Sequence, residues 1–125
     1  MSVTDMPKAE AILVVEDEPV LRFLIVEELE EAGYEVFEAE DASHAIAILE
    51  TQADIRLVLT DIDLFTAAEG MELAKLIRDR WPHIRIILTS GNWSFTEGEI
   101  SFAERFIPKP HAPGVLLESI RTCLS

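Results

Sequence analysis

Four short stretches of this chain carry side chains that could do chemistry. Glu16 and Asp17 follow the apolar run Ala11–Val15, and Asp61 and Asp63 follow Arg56–Thr60. Thr89, Ser90 and Gly91 end the run that starts at Arg85, and Lys109 stands between Pro108 and Pro110. Singly, each has an ordinary reading. Glu18 or Asp17 could cap the helix that Pro19 opens, with Glu18 the better candidate. Asp61 could begin a turn, Ser90-Gly91 could be a plain strand exit, and Lys109 could be a surface lysine. Jointly these readings weaken, because two unit charges 4 Å apart repel by about 4 kcal/mol at a protein-surface dielectric. A bound cation would remove the conflict, and all-oxygen ligation by few carboxylates suits Mg²⁺. A carboxylate beside Mg²⁺, with a lysine and a hydroxyl at hand, can accept a phosphoryl group as a nucleophile. His44, His83 and His111 are scattered and offer no zinc set.

The elements that would hold these groups alternate. AILVV (11–15), RLVLT (56–60) and RIILTS (85–90) read as buried strands, EVFEA (35–39) as an edge strand and RFI (105–107) as a short last one. Between them, PVLRFLIVEELEEAG has Pro19 at a helix start and Gly33 at its end. ASHAIAILETQ and GMELAKLIRDRW are amphipathic, HAPGVLLESIRTCL closes the chain as a helix, and 92–104 is expected to hold a short helix. Five strand–helix repeats with short connections predict an α/β fold, a doubly wound parallel sheet covered on both faces. In such a sheet ligands bind beyond the carboxyl ends of the strands, where all four stretches end.

The bulk numbers narrow the function. A chain of 125 residues is one domain, read as a tail over 1–10 and a folded unit over 11–125. The net charge of −14 argues against nucleic acid as a direct partner, since phosphate backbones reward Lys and Arg clusters. The one cysteine, Cys123, excludes an internal disulfide and fits a reducing cytoplasm. No apolar run nears the roughly 20 residues of a membrane span, and MSVTDMPKAE is not a signal peptide.

Taken together, LVVEDEP, Asp61 after LVLT, Ser90 in IILTSG and Lys109-Pro110 in FIPKP resemble the receiver domain of a two-component response regulator, over about residues 10 to 124. The resemblance implies a five-stranded, flavodoxin-like sheet of order 2-1-3-4-5. It implies a stand-alone, CheY-like signalling domain, not an enzyme beyond its own phosphorylation and dephosphorylation. Asp61 would be the phosphoacceptor, fed by a histidine kinase or a histidine phosphotransfer protein. Asp17 and Asp61 would bind Mg²⁺ directly, Glu16 through water and Asp63 through its backbone carbonyl. Ser90, directly before Gly91, fits the switch hydroxyl better than Thr89. Lys109 would pair with the phosphoryl group across a cis Lys109–Pro110 bond, and Phe106 would be the switch aromatic. Asp63 and Asn92 would tune the phosphate lifetime, and Trp93 would gate the site or report Mg²⁺. The face around the fourth and fifth strands, including 92–104, would meet partners, and weak self-association is compatible with the pattern. Leu64-Phe65, Phe106 in place of Tyr, and His111 depart from the family pattern.

The rival reading is a phosphatase of the haloacid-dehalogenase type, with Asp61 as nucleophile and Asp63 as acid/base. Its downstream acidic pair is missing, since Glu118 is the only acid after Lys109. Its Asp-x-Asp strand also normally comes first.

Overall fold

The computed structural model describes residues 9–63, 67–91 and 97–125. The expectations placed on the tail over 1–8, on Leu64-Phe65, and on Asn92 and Trp93 fall outside these residues.

Strands β1 (Ala11–Val15), β2 (Glu35–Ala39), β3 (Ile55–Asp61), β4 (Arg85–Ser90) and β5 (Arg105–Pro108) alternate with helices α1 (Pro19–Glu31), α2 (Ala42–Thr51), α3 (Ala67–Arg80), α4 (Glu97–Ile100) and α5 (Val115–Leu124). The sheet is parallel throughout, in the order β2-β1-β3-β4-β5. This is the architecture expected from the sequence. β1 is buried at every position and sits inside the sheet, whereas the polar β2 lies at its edge.

Because side chains alternate along a strand, the sheet feeds two cores. On one face Leu13, Val15, Val58, Ile86 and Leu88 pack with Ala45 and Leu49 of α2 and with Leu73, Ala74 and Ile77 of α3. On the other, Ile12, Val14, Leu57, Leu59, Ile87 and Ile107 pack with Ile25, Val26 and Leu29 of α1 and with Leu116 and Ile120 of α5.

Local chemistry sets most element ends. After α1, Gly33 turns left-handed at φ 98, and the Tyr34 and Gly33 N–H groups donate to Leu29 O at 3.2 Å and Glu30 O at 3.0 Å. At its start, Glu18 takes the N-cap position, but its side chain makes no capping hydrogen bond, contrary to expectation. Its own N–H instead donates to Glu16 Oε2 at 3.2 Å, so the neighbouring acid serves the helix end. The last helix also differs, beginning at Val115 and not at His111. Pro113 disfavours helical backbone at Ala112, and Gly114 sits left-handed at φ 87. The third helix begins at Ala67, three residues before the expected start at Gly70.

Candidate functional site

The carboxyl ends of β1, β3, β4 and β5 come together at one edge of the sheet, and backbone bonds extend the ladder there. Ile62 N–H donates to Thr89 O at 3.0 Å, and Lys109 N–H donates to Ser90 O at 2.9 Å. Glu16 N–H donates to Ala39 O at 3.0 Å, while the Glu16 carbonyl accepts from Arg22 Nη1 at 2.9 Å. Arg22 also pairs with Glu38 at 3.0 Å, so one helix residue pins the turn that carries the first acids. Nothing in the sequence singles out Arg22. An arginine one turn into a helix is a common solvent-facing residue, and only the fold shows what it reaches.

Lys109 is the hub. Its Nζ lies 2.8 Å from Asp61 Oδ2 and 3.0 Å from Glu16 Oε1. Asp61 and Glu16 are almost fully buried, whereas Lys109 is partly exposed. Burial raises the Glu16 carboxyl to about 7; the Glu18 N–H and Lys109 pull against that rise, and the Asp61 charge adds to it. For Lys109, burial pulls downward, but the hydrogen bonds and charges of Asp61 and Glu16 outweigh it and the net shift is upward. The ammonium is therefore held charged.

One atom each from Glu16, Asp17 and Asp61 lies within 4.8 Å of the others. Three carboxylates against one lysine leave an excess of negative charge in a buried corner, and every donor is a hard oxygen. A small hard divalent cation fits that donor set, and it would relieve the desolvation that lifts Glu16.

Asp63 occupies the centre of the remaining contacts. Its backbone N–H donates to Asp61 Oδ1 at 2.8 Å. Its side chain accepts from the Ser90 hydroxyl, 2.8 and 2.9 Å from the two oxygens, and from Gly91 N–H at 2.9 Å. The resemblance implies for Asp63 a backbone carbonyl and a tuning side chain; its hold on Ser90 has no signal in the spacing. Thr89 and Ser90 part company as strand alternation requires. Thr89 lines a groove with Leu21, Ile25, Lys109, Pro110 and His111, on the α1 side of the sheet. Ser90 faces Asp63, and Phe106 packs half-buried into the core on that same face. The Lys109–Pro110 bond is cis, as the resemblance implied.

Gly70 sets the height of this edge. A Cβ built there would collide with the Ile62 carbonyl carbon and oxygen. Helix α3 therefore presses its backbone against the turn that links Asp61 to Asp63.

A five-stranded doubly wound sheet with this acid–lysine corner defines a class of signalling domain, and residues 12–121 match the family model of the response regulator receiver domain. The chain belongs to that family. It is 33% identical over 117 residues to the aerobic respiration control protein ArcA of Escherichia coli, an alignment covering 91% of this chain and 48% of ArcA. The chain spans about half the length of the first curated relatives it matches. Among solved structures, the response regulator TrrA of Thermotoga maritima in complex with Mg²⁺-BeF is 30% identical, with a TM-score of 0.81 over 91% of this chain and 98% of that one. A structure of histidine kinase ThkA in complex with TrrA gives 32% identity and a TM-score of 0.81, covering 93% and 99%. The phosphatase reading finds no support in these relationships.

Proposed function

We propose that this receiver domain takes a phosphoryl group onto Asp61 from a phosphohistidine on a histidine kinase or a histidine phosphotransfer protein. The observation that carries the reading is the Lys109 ammonium held 2.8 Å from Asp61 inside a corner of three converging carboxylates. An Asp61 oxygen forms the new bond to phosphorus as the P–N bond of the donor breaks, its electron pair staying on the imidazole nitrogen. Asp61 is already oriented for this, with Oδ1 on the Asp63 N–H and Oδ2 on Lys109. Lys109 stabilises the charge on the transferred oxygens.

The divalent cation that fits this corner is Mg²⁺. Asp17 and Asp61 would hold it directly, Glu16 through water and Asp63 through its backbone carbonyl. When bound, Mg²⁺ neutralises charge on the phosphoryl oxygens. Once phosphorylated, the chain would draw the Ser90 hydroxyl to the phosphoryl group, and Phe106 would follow into the space on that face of the sheet. The domain acts by contact with other proteins in the cytoplasm and turns over no external substrate. Val20, Phe23 and Leu24, 67%, 62% and 56% exposed on α1 directly after the acidic turn, offer a second apolar contact surface beside the one expected around β4 and β5.

The test is incubation with acetyl phosphate and Mg²⁺ followed by intact mass measurement. Wild type gains one phosphoryl group, while Asp61→Asn and chelated wild type gain none. The reading fails if wild type stays unmodified or if Asp61→Asn is modified to the same extent. Sustained hydrolysis of a generic phosphomonoester would favour the phosphatase instead.

A further inference from the structure

Asp63 touches both halves of the site with its two ends. Its N–H orients the Asp61 carboxylate at 2.8 Å, and its side chain engages the Ser90 hydroxyl and the Gly91 N–H. Ser90 is fully buried, so its hydroxyl proton cannot be satisfied by bulk water in exchange for leaving Asp63. We propose that the Asp63 carboxylate is a latch on the switch hydroxyl, a positioning residue that sets the threshold for activation. The proposal rests on the reading of Asp61 as phosphoacceptor and Ser90 as switch.

The physical argument has two parts. Ser90 has a single hydroxyl proton. Donating it to a phosphoryl oxygen on Asp61 means withdrawing it from Asp63, so the two acceptors compete for one donor. Hydrogen bonds to a charged acceptor are the stronger kind, which makes the latch a real opponent of the switch. Once Ser90 leaves, Asp63 keeps the Gly91 N–H of the two donors its side chain holds among the described residues, and its charge then stands near a phosphoryl group. Both effects favour the latched arrangement. The latch also bridges the ends of β3 and β4, so its release would leave the Gly91 N–H to hold the Asp63 side chain to the β4 exit. An apolar or amide residue at position 63 would give a receiver that activates at a lower phosphoryl load.

The experiment is a double-mutant cycle of Asp63→Ala and Ser90→Ala, read as the affinity of the intact chain for beryllofluoride in the presence of Mg²⁺. Asp63→Ala alone is expected to tighten binding on the order of three- to tenfold, the range of one net hydrogen bond. In the Ser90→Ala background that gain shrinks to the smaller part due to charge alone. An equal gain in both backgrounds would show that Asp63 acts only through its charge and would overturn the latch. Weaker binding by Asp63→Ala would overturn it too, since Asp63 would then be preparing Ser90 for the phosphoryl group. A second readout needs no phosphoryl analogue. In unphosphorylated protein the Gly91 amide proton should move upfield in Asp63→Ala, with partial recovery in Asp63→Asn, which keeps an acceptor oxygen. No response at Gly91 means the latch is absent. A wild type that binds no beryllofluoride overturns the reading of Asp61 and the threshold with it, while the Gly91 shift still decides whether the Asp63 side chain is seated at the Ser90-Gly91 exit, as the latch requires.

Discussion

Glu16 shows how one residue's environment becomes a property of the whole domain. It is buried, accepts the Glu18 N–H, pairs with Lys109, and has its carboxyl raised from the ordinary 4.5 to about 7. A group whose folded-state pKa lies above its unfolded value contributes stability that is fully present below the unfolded value. That contribution is lost as pH rises through the folded one. In chelator, wild type should therefore lose stability relative to Glu16→Gln between pH 4.5 and 7, by on the order of 1–3 kcal/mol. Urea unfolding of both proteins across that range measures it, and a pH-independent difference would contradict the assignment. Excess Mg²⁺ should remove most of the loss, because the cation replaces the missing proton. At this scale the acids and the lysine were legible in the sequence, being uncommon residues at strand ends. The raised Glu16 carboxyl was not, because burial is a property of neighbours distant along the chain.

At the scale of elements, the site depends on how closely α3 approaches the end of β3. Gly70 allows that approach, since a Cβ would collide with backbone atoms of Ile62 that cannot rotate away. Gly70→Ala should destabilise the fold by about 2–3 kcal/mol through overpacking and shift the turn that carries Asp63. The expected signature is a lower urea midpoint together with slower phosphorylation by acetyl phosphate, although Ala is the better helix former. An alanine variant as stable and as reactive as wild type would show that the approach can relax freely. A second element-scale device lies at the far end of the sheet. Arg78 on α3 pairs with Glu104 at 2.6 Å and donates to the carbonyls of Phe102, Pro82 and Ile84, while Glu104 accepts from Ile86 N–H at 3.3 Å. This knot ties the segment entering β5 to α3 and to the start of β4, at the opposite end of the sheet from Ser90.

At the scale of the whole molecule, a net charge of −14 on 125 residues means self-repulsion that compaction makes worse. Monovalent salt should screen it, and raising NaCl from low to moderate ionic strength should lift the thermal midpoint by about 3–5 °C, equivalent to roughly 1 kcal/mol. Mg²⁺ at matched ionic strength should stabilise further, through binding to the folded state. Asp17→Ala should abolish that excess and leave the salt response intact. Equal excess in the two proteins would place Mg²⁺ outside the acidic corner. No helix among the described residues is long and apolar enough to cross a membrane.

What the sequence determined by itself was the alternation of elements and the identity of the groups at the strand ends. Both are local properties: apolar runs of strand length, helix caps such as Gly33, and acids that break an apolar pattern. What only the tertiary structure decided was which of those groups meet. Parallel pairing sets Asp61 opposite Thr89 and Ser90 opposite Pro108, and that register carries Lys109 to Asp61 and Ser90 to Asp63. Strand alternation then parts Thr89 from Ser90, and the packing settles the direction, with Thr89 in the α1 groove and Ser90 on the face of Phe106. Arg22 reaches the Glu16 carbonyl, and Gly70 touches Ile62, for the same reason. Contacts between elements depend on register and packing distance, which spacing along the chain does not encode.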